Sequence, residues 1–129
     1  MNVALLLVTH DNIGHDMLAV ARSILSDESD NTACVEIPMD ADVDDIKQKI
    51  SNALAGLSTD KGVLILTDSY GSTPGNIASS FLDRKHRTLV SGLNLPMLIR
   101  VMNYRSRPLD ELEGIAVDGG KHGIVSRTP

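Results

Sequence analysis

The chain has no tryptophan, one phenylalanine, two tyrosines and one cysteine among its 129 residues. A packed core must therefore be aliphatic, and a hydrophobic fraction of 42% against 22% charged supplies the material for one. A single cysteine, Cys34, excludes an intrachain disulfide. Basic residues are sparse as well, with 12 Lys and Arg against 17 Asp and Glu for a net charge of −5. They gather only in a thin stretch at 84–87 and at Arg100, Arg105 and Arg107, with the other six scattered, which offers no basic face for a phosphate backbone and disfavours nucleic acid as a partner. The N-terminal apolar run is too short to span a bilayer and lacks the basic start and cleavage site of a signal peptide, so a cytoplasmic protein is expected. No His, Cys and carboxylate set has zinc spacing, and neither metal nor cofactor is expected.

What is present alternates. At this length the chain reads as one domain, 1–129, able to bury roughly two-thirds of its unfolded surface without staples. A first strand at about 2–9 leads through Asp11-Asn12-Ile13-Gly14 into a helix with Met17, Leu18, Ala21 and Leu25 on its apolar face. After a polar turn at 26–31, a short run Ala33-Cys34-Val35-Glu36-Ile37 stops at Pro38, and Asp42 stands as N-cap before Val43, Ile46, Ile50, Ala53, Leu54 and Leu57 at helical spacing. The run from Gly62 through Thr67 is continuously apolar, as expected when helices cover both sheet faces. The loop Asp68-Ser69-Tyr70-Gly71-Ser72 follows, then a helix with Thr73 at the N-cap and Pro74 at its first position. A weaker fourth run at 87–92 precedes two helices opened by Asn94-Leu95-Pro96 and by Pro108. This rhythm predicts an open, doubly wound, mainly parallel α/β sheet of order 2-1-3-4 with helices on both faces.

In that order the first and third strands are neighbours, and their helices leave to opposite faces. A crevice opens between their carboxyl ends, and the residues delivered there are His10 and Asp68. A neutral ring nitrogen is nucleophilic near neutral pH, while the other nitrogen can donate to a carboxylate that fixes tautomer and orientation. Gly71, Ser72 and Thr73 bring flexible backbone and two hydroxyls to a helix start, where a phosphoryl group is favoured. A nucleotide or small-anion module would use the same crevice, but its glycine-rich loop belongs after the first strand, where only Gly14 stands. A receiver domain would place acids at the first strand's end, where Asp11 is the sole one, and no Ser or Cys occupies a recognisable nucleophile elbow.

Three blocks in order resemble the IIA components of the mannose class of the phosphoenolpyruvate-dependent sugar phosphotransferase system (PTS). They are Val8-Thr9-His10, the stretch from Leu66-Thr67-Asp68 to Asn76, and Gly92-Leu93-Asn94-Leu95-Pro96-Met97-Leu98. The resemblance implies a phosphotransferase in which His10 accepts phosphate from the phosphohistidine of an HPr-like carrier, Asp68 holds its ring, and Thr73 contacts the phosphate. It implies a homodimer, with residues 123–127 as the candidate for an antiparallel edge strand exchanged between protomers. Ser72 and Gly75 depart from the family pattern, which usually has a glycine and a bulkier apolar residue at these positions. No IIB domain follows within the 129 residues, so phosphate is expected to pass to a separate IIB protein or to end in a regulatory relay.

The remaining candidates read as structural. His15, one to two turns into the first helix, is expected on the surface, and His86 in a solvated loop. His122 follows Gly119-Gly120, which are expected to mark a turn, and it would approach a partner's site if the tail is exchanged. Cys34 is expected to be buried as a small hydrophobe. Arg100 and Arg105 are expected on a solvated helix face, from which they would rim a phosphate or meet an acidic partner. Tyr70 is expected to take part in docking a partner over His10 and the Thr73 loop.

Overall fold

Aliphatic runs bounded by turn residues set the four strands, and each is followed by a helix whose apolar stripe has somewhere to go. The structure is a computed structural model and describes residues 2–27, 30–83 and 86–129. Strands β1 (Ala4–His10), β2 (Thr32–Ile37), β3 (Val63–Thr67) and β4 (Arg87–Ser91) form one parallel sheet in the order β2-β1-β3-β4. The helices are α1 (Ile13–Leu25), α2 (Val43–Ala55), α3 (Thr73–Ser79), α4 (Leu95–Asn103) and α5 (Leu109–His122).

Side chains alternate across the sheet with period two, so each face has its own core. Leu5, Leu7, Leu64 and Leu66 pack with Leu18 and Ala21 of α1, Met97 and Leu98 of α4, and Leu112 of α5. Ala4, Leu6, Val8, Val63 and Ile65 pack on the other face with Ile46 and Ile50 of α2 and Ile77 and Ala78 of α3. β1 and β3 are therefore covered on both sides, which is why their sequences are unbroken apolar runs rather than alternating ones. α1 and α3 leave neighbouring strands toward opposite faces, so the carboxyl ends of β1 and β3 lie between their starts.

Several details differ from the sequence expectations. Ser72, not Thr73, is the N-cap of α3, because its Oγ accepts the Gly75 N–H at 3.4 Å; Thr73 and Pro74 become the first two helical residues. Gly119 and Gly120 lie inside α5, not in a turn. They are small for packing: a Cβ on Gly119 would sit 2.7 Å from Arg100 Cβ and push α4 and α5 apart, while one on Gly120 would sit 2.9 Å from Met97 Cε and displace the end of that side chain.

Arg105 is not on a solvated face. It follows the end of α4, is 4% exposed, and ties together the amino ends of β1 and β2. Its guanidinium donates to the carbonyls of Val3 at 2.8 Å and Asn31 at 3.0 Å and to Thr32 Oγ1 at 2.9 Å. Burial pulls its pKa down, opposed by the charge of Asp27. Cys34 is half-buried, and burial raises its thiol to about 11, the value of an inert side chain. Residues 124–129 form no strand within the chain, and Ile124 and Val125 are 79% and 72% exposed. Arg84 and Lys85, part of the basic stretch at 84–87, lie outside the described residues.

Candidate functional site

β1 and β3 run side by side with Val8 opposite Thr67, so the residues that follow emerge together at the sheet edge. There the Asp68 carboxylate turns onto His10. One oxygen, Oδ2, accepts the His10 backbone N–H at 3.2 Å and lies 2.8 Å from ring Nδ1. Backbone and ring are thus held by the same atom, which fixes both the position of the residue and the rotation of its imidazole. A carboxylate accepts and does not donate, so the contact assigns the ring proton to Nδ1. In the neutral ring the lone pair is then on Nε2, which makes no hydrogen bond to a described residue. The His10 side chain is 28% exposed and that of Asp68 11%, so the carboxylate is shielded while the ring reaches solvent. The second carboxylate oxygen, Oδ1, is buried with no hydrogen-bond partner among the described residues.

The turn carrying His10 is pinned on both flanks. Asp11 takes a left-handed backbone (φ 39°), and its N–H donates to Ile37 O of β2 at 3.0 Å. Thr9, 1% exposed, accepts the Gly14 N–H on Oγ1 at 2.8 Å.

The β3–α3 loop stands next to this pair in the chain. Ser72 Oγ donates to Ser69 O at 2.8 Å while accepting from Gly75, so its proton is already committed to the loop. Asn76 closes the same turn, its Nδ2 donating to Gly71 O at 3.2 Å. Gly71 has φ 75° and is exposed, a conformation that favours glycine. Thr73 is exposed, and its hydroxyl has no partner among the described residues. Pro74 contributes no N–H, so the Thr73 amide and hydroxyl are the free donors at the start of α3. Gly75 is where a Cβ would lie 3.1 Å from Ser69 O, which explains glycine at this place.

The structure joins His10 to Asp68 and leaves the other histidines elsewhere. His15 and His86 are exposed, and His122 sits at the end of α5 with Nδ1 2.7 Å from Asp118 O. Tyr70 is 90% exposed, with its ring packed on little of its own loop. Thr9 and Gly14 were not singled out from sequence. The available signal was a threonine ending an apolar run five residues before a glycine at a helix start. Among the described residues no helix is long and apolar enough to cross a membrane.

An open parallel sheet with an oriented histidine at its carboxyl edge defines the class of protein. Known proteins place it more closely. A family model described as PTS system fructose IIA component matches residues 4–112. The chain is 32% identical over 127 residues to the PTS system mannose-specific EIIAB component of Escherichia coli (strain K12), covering 96% of this chain and 39% of that protein. It is 32% identical over 79 residues to the PTS system fructose-specific EIIA component of Bacillus subtilis (strain 168), covering 60% of this chain and 54% of that one. Among solved structures, the mannose/sorbose specific IIA subunit from Enterococcus faecalis superposes with a TM-score of 0.88 at 24% identity, covering 100% of this chain and 97% of that one. A phosphotransferase system component EIIA from Streptococcus agalactiae gives 0.84 at 23% identity, covering 96% of each chain. The chain belongs to the EIIA-man family and is a IIA component of the sugar phosphotransferase system. It spans 39% of the length of the EIIAB relative.

Proposed function

We propose that this protein is a phosphocarrier in which His10 Nε2 accepts a phosphoryl group from a phosphohistidine carrier of HPr type. The observation that carries this reading is the 2.8 Å contact between Nδ1 and Asp68 Oδ2, which leaves the outward nitrogen as the nucleophile. In the transfer, the Nε2 lone pair forms the new N–P bond as the donor's N–P bond breaks, and the donor ring leaves with that electron pair. The Nδ1 proton stays in place. The ring gains positive charge as the bond forms, and the buried Asp68 carboxylate stabilises it without changing position. Gly71, Ser72 and Thr73 form the phosphate-contacting loop in this reading: Thr73 donates from its free amide and hydroxyl, and Ser72 holds the loop's shape.

The acceptor is a separate IIB protein or a regulatory partner, and the site of action is the cytoplasm. A homodimer fits two features: β4 has a neighbour on one side only, and the exposed Ile124-Val125 tail is an apolar segment available to pair. Docking over His10 is supported by the apolar side chains at the carboxyl edge, Tyr70, Met39 (79% exposed) and Ile13 (45%). Intact-mass measurement after incubation with phosphorylated carrier tests the function. One phosphoryl group stable at neutral pH and lost in acid is expected, and its persistence in His10→Ala would move the site elsewhere.

A further inference from the structure

We infer that Thr9 is a positioning residue for phosphoryl transfer, acting through the turn that presents His10. This rests on the reading of His10 as the acceptor and concerns what sets the ring's tautomer. The first N–H groups of a helix have no partner inside it, and a side chain at the N-cap ordinarily serves them. In α1 the N-cap, Asn12, makes no side-chain cap. The buried Gly14 N–H is instead taken by Thr9 Oγ1 at 2.8 Å, from the strand side of the turn. The bond closes a loop from residue 9 to residue 14, and His10 lies inside it.

The two ends of this clamp are fitted to one another. A Cβ on Gly14 would lie 3.0 Å from Thr9 Oγ1 and 3.1 Å from Thr9 Cγ2, so even one methyl group presses on the threonine. Thr9 is 1% exposed, and no water competes for the bond. Within the loop, Asp11 holds a left-handed backbone and donates to Ile37 O, so the clamp supports from the helix side the last strand residue, His10, whose ring Asp68 engages. The outcome is the pair of contacts to Asp68 Oδ2, at 3.2 Å from the backbone and 2.8 Å from the ring. Hydrogen-bond angles weaken quickly with misalignment. A relaxed turn therefore loosens the ring contact and releases the proton from Nδ1.

The test reads the ring directly. In Thr9→Val the shape is kept and the acceptor removed, while Thr9→Ser keeps the acceptor. Proton–nitrogen NMR of the unphosphorylated protein, with the histidine rings labelled, reports which nitrogen of His10 carries the proton. Wild type and Thr9→Ser are expected to hold it on Nδ1, Thr9→Val to show a mixture of tautomers, and phosphoryl uptake by Thr9→Val to fall about tenfold or more. Gly14→Ala disturbs the same contact from the helix side and is expected to move the ring signals likewise, so it carries the test if Thr9→Val does not fold. A wild-type His10 ring spectrum in folded Thr9→Val, or in Gly14→Ala if that variant alone folds, overturns the inference. A shifted ring in a protein whose wild type never takes phosphate overturns the phosphocarrier reading, and with it the role in transfer, and leaves only the control of the His10 ring by Thr9.

Discussion

A neutral imidazole offers one lone pair, and the nitrogen that holds it decides what the residue can attack. At His10 that choice is made by Asp68, whose Oδ2 meets both the backbone N–H and Nδ1. Asp68→Asn keeps the shape and removes the negative charge that stabilises the ring as it gains positive charge. The expected result is a folded protein whose phosphotransfer rate, measured by rapid mixing with phosphorylated carrier, falls by about ten- to a thousandfold. Unchanged rates would reduce Asp68 to a strand terminator. Both residues were legible in the sequence because each ends an apolar run, and a polar residue there has to emerge at the sheet edge. Ser72 and Thr73 were harder to separate. Either hydroxyl can cap a helix, and the one-residue difference depends on which of them reaches Gly75 N–H in the folded loop.

Arg105 shows how elements are joined away from the site. It bonds to Val3 O and Asn31 O at the amino ends of β1 and β2, the pole opposite His10. Arg105→Leu would strip several buried carbonyl partners at once, and a loss of about 2–4 kcal/mol is expected in urea unfolding. Phosphotransfer by the folded variant should be unchanged. A stability change below about 0.5 kcal/mol would place Arg105 among ordinary surface residues. Nothing local announced this role, since Val3 lies 102 positions away in the chain. The Gly119-Gly120 pair misled for a related reason. Glycine marks a turn when backbone freedom is needed, but here it marks the place where α5 meets Arg100 and Met97 of α4, a contact only the folded pair of helices creates. The strands and the starts of most helices, by contrast, depend on nearby residues and were readable.

For the whole molecule, the order β2-β1-β3-β4 followed from right-handed crossovers and places every strand's carboxyl end on one edge. The tail beyond α5 forms no strand within the chain, so the exchanged edge strand implied by the family resemblance is not among the elements that one chain specifies. Relay between proteins requires only a modest, transient interface. Chemical-shift mapping with the carrier is expected to centre on His10, Tyr70, Met39 and the Thr73 loop, and changes confined to the amino-terminal pole would refute that docking face. The central claim is that one nitrogen of one histidine carries the phosphate. It is tested most directly by nitrogen and phosphorus NMR of the protein phosphorylated by its carrier, with the histidine rings labelled. The phosphoryl group should couple to Nε2 of His10 while Nδ1 retains its proton toward Asp68; coupling to Nδ1, or to any other residue, would contradict the mechanism.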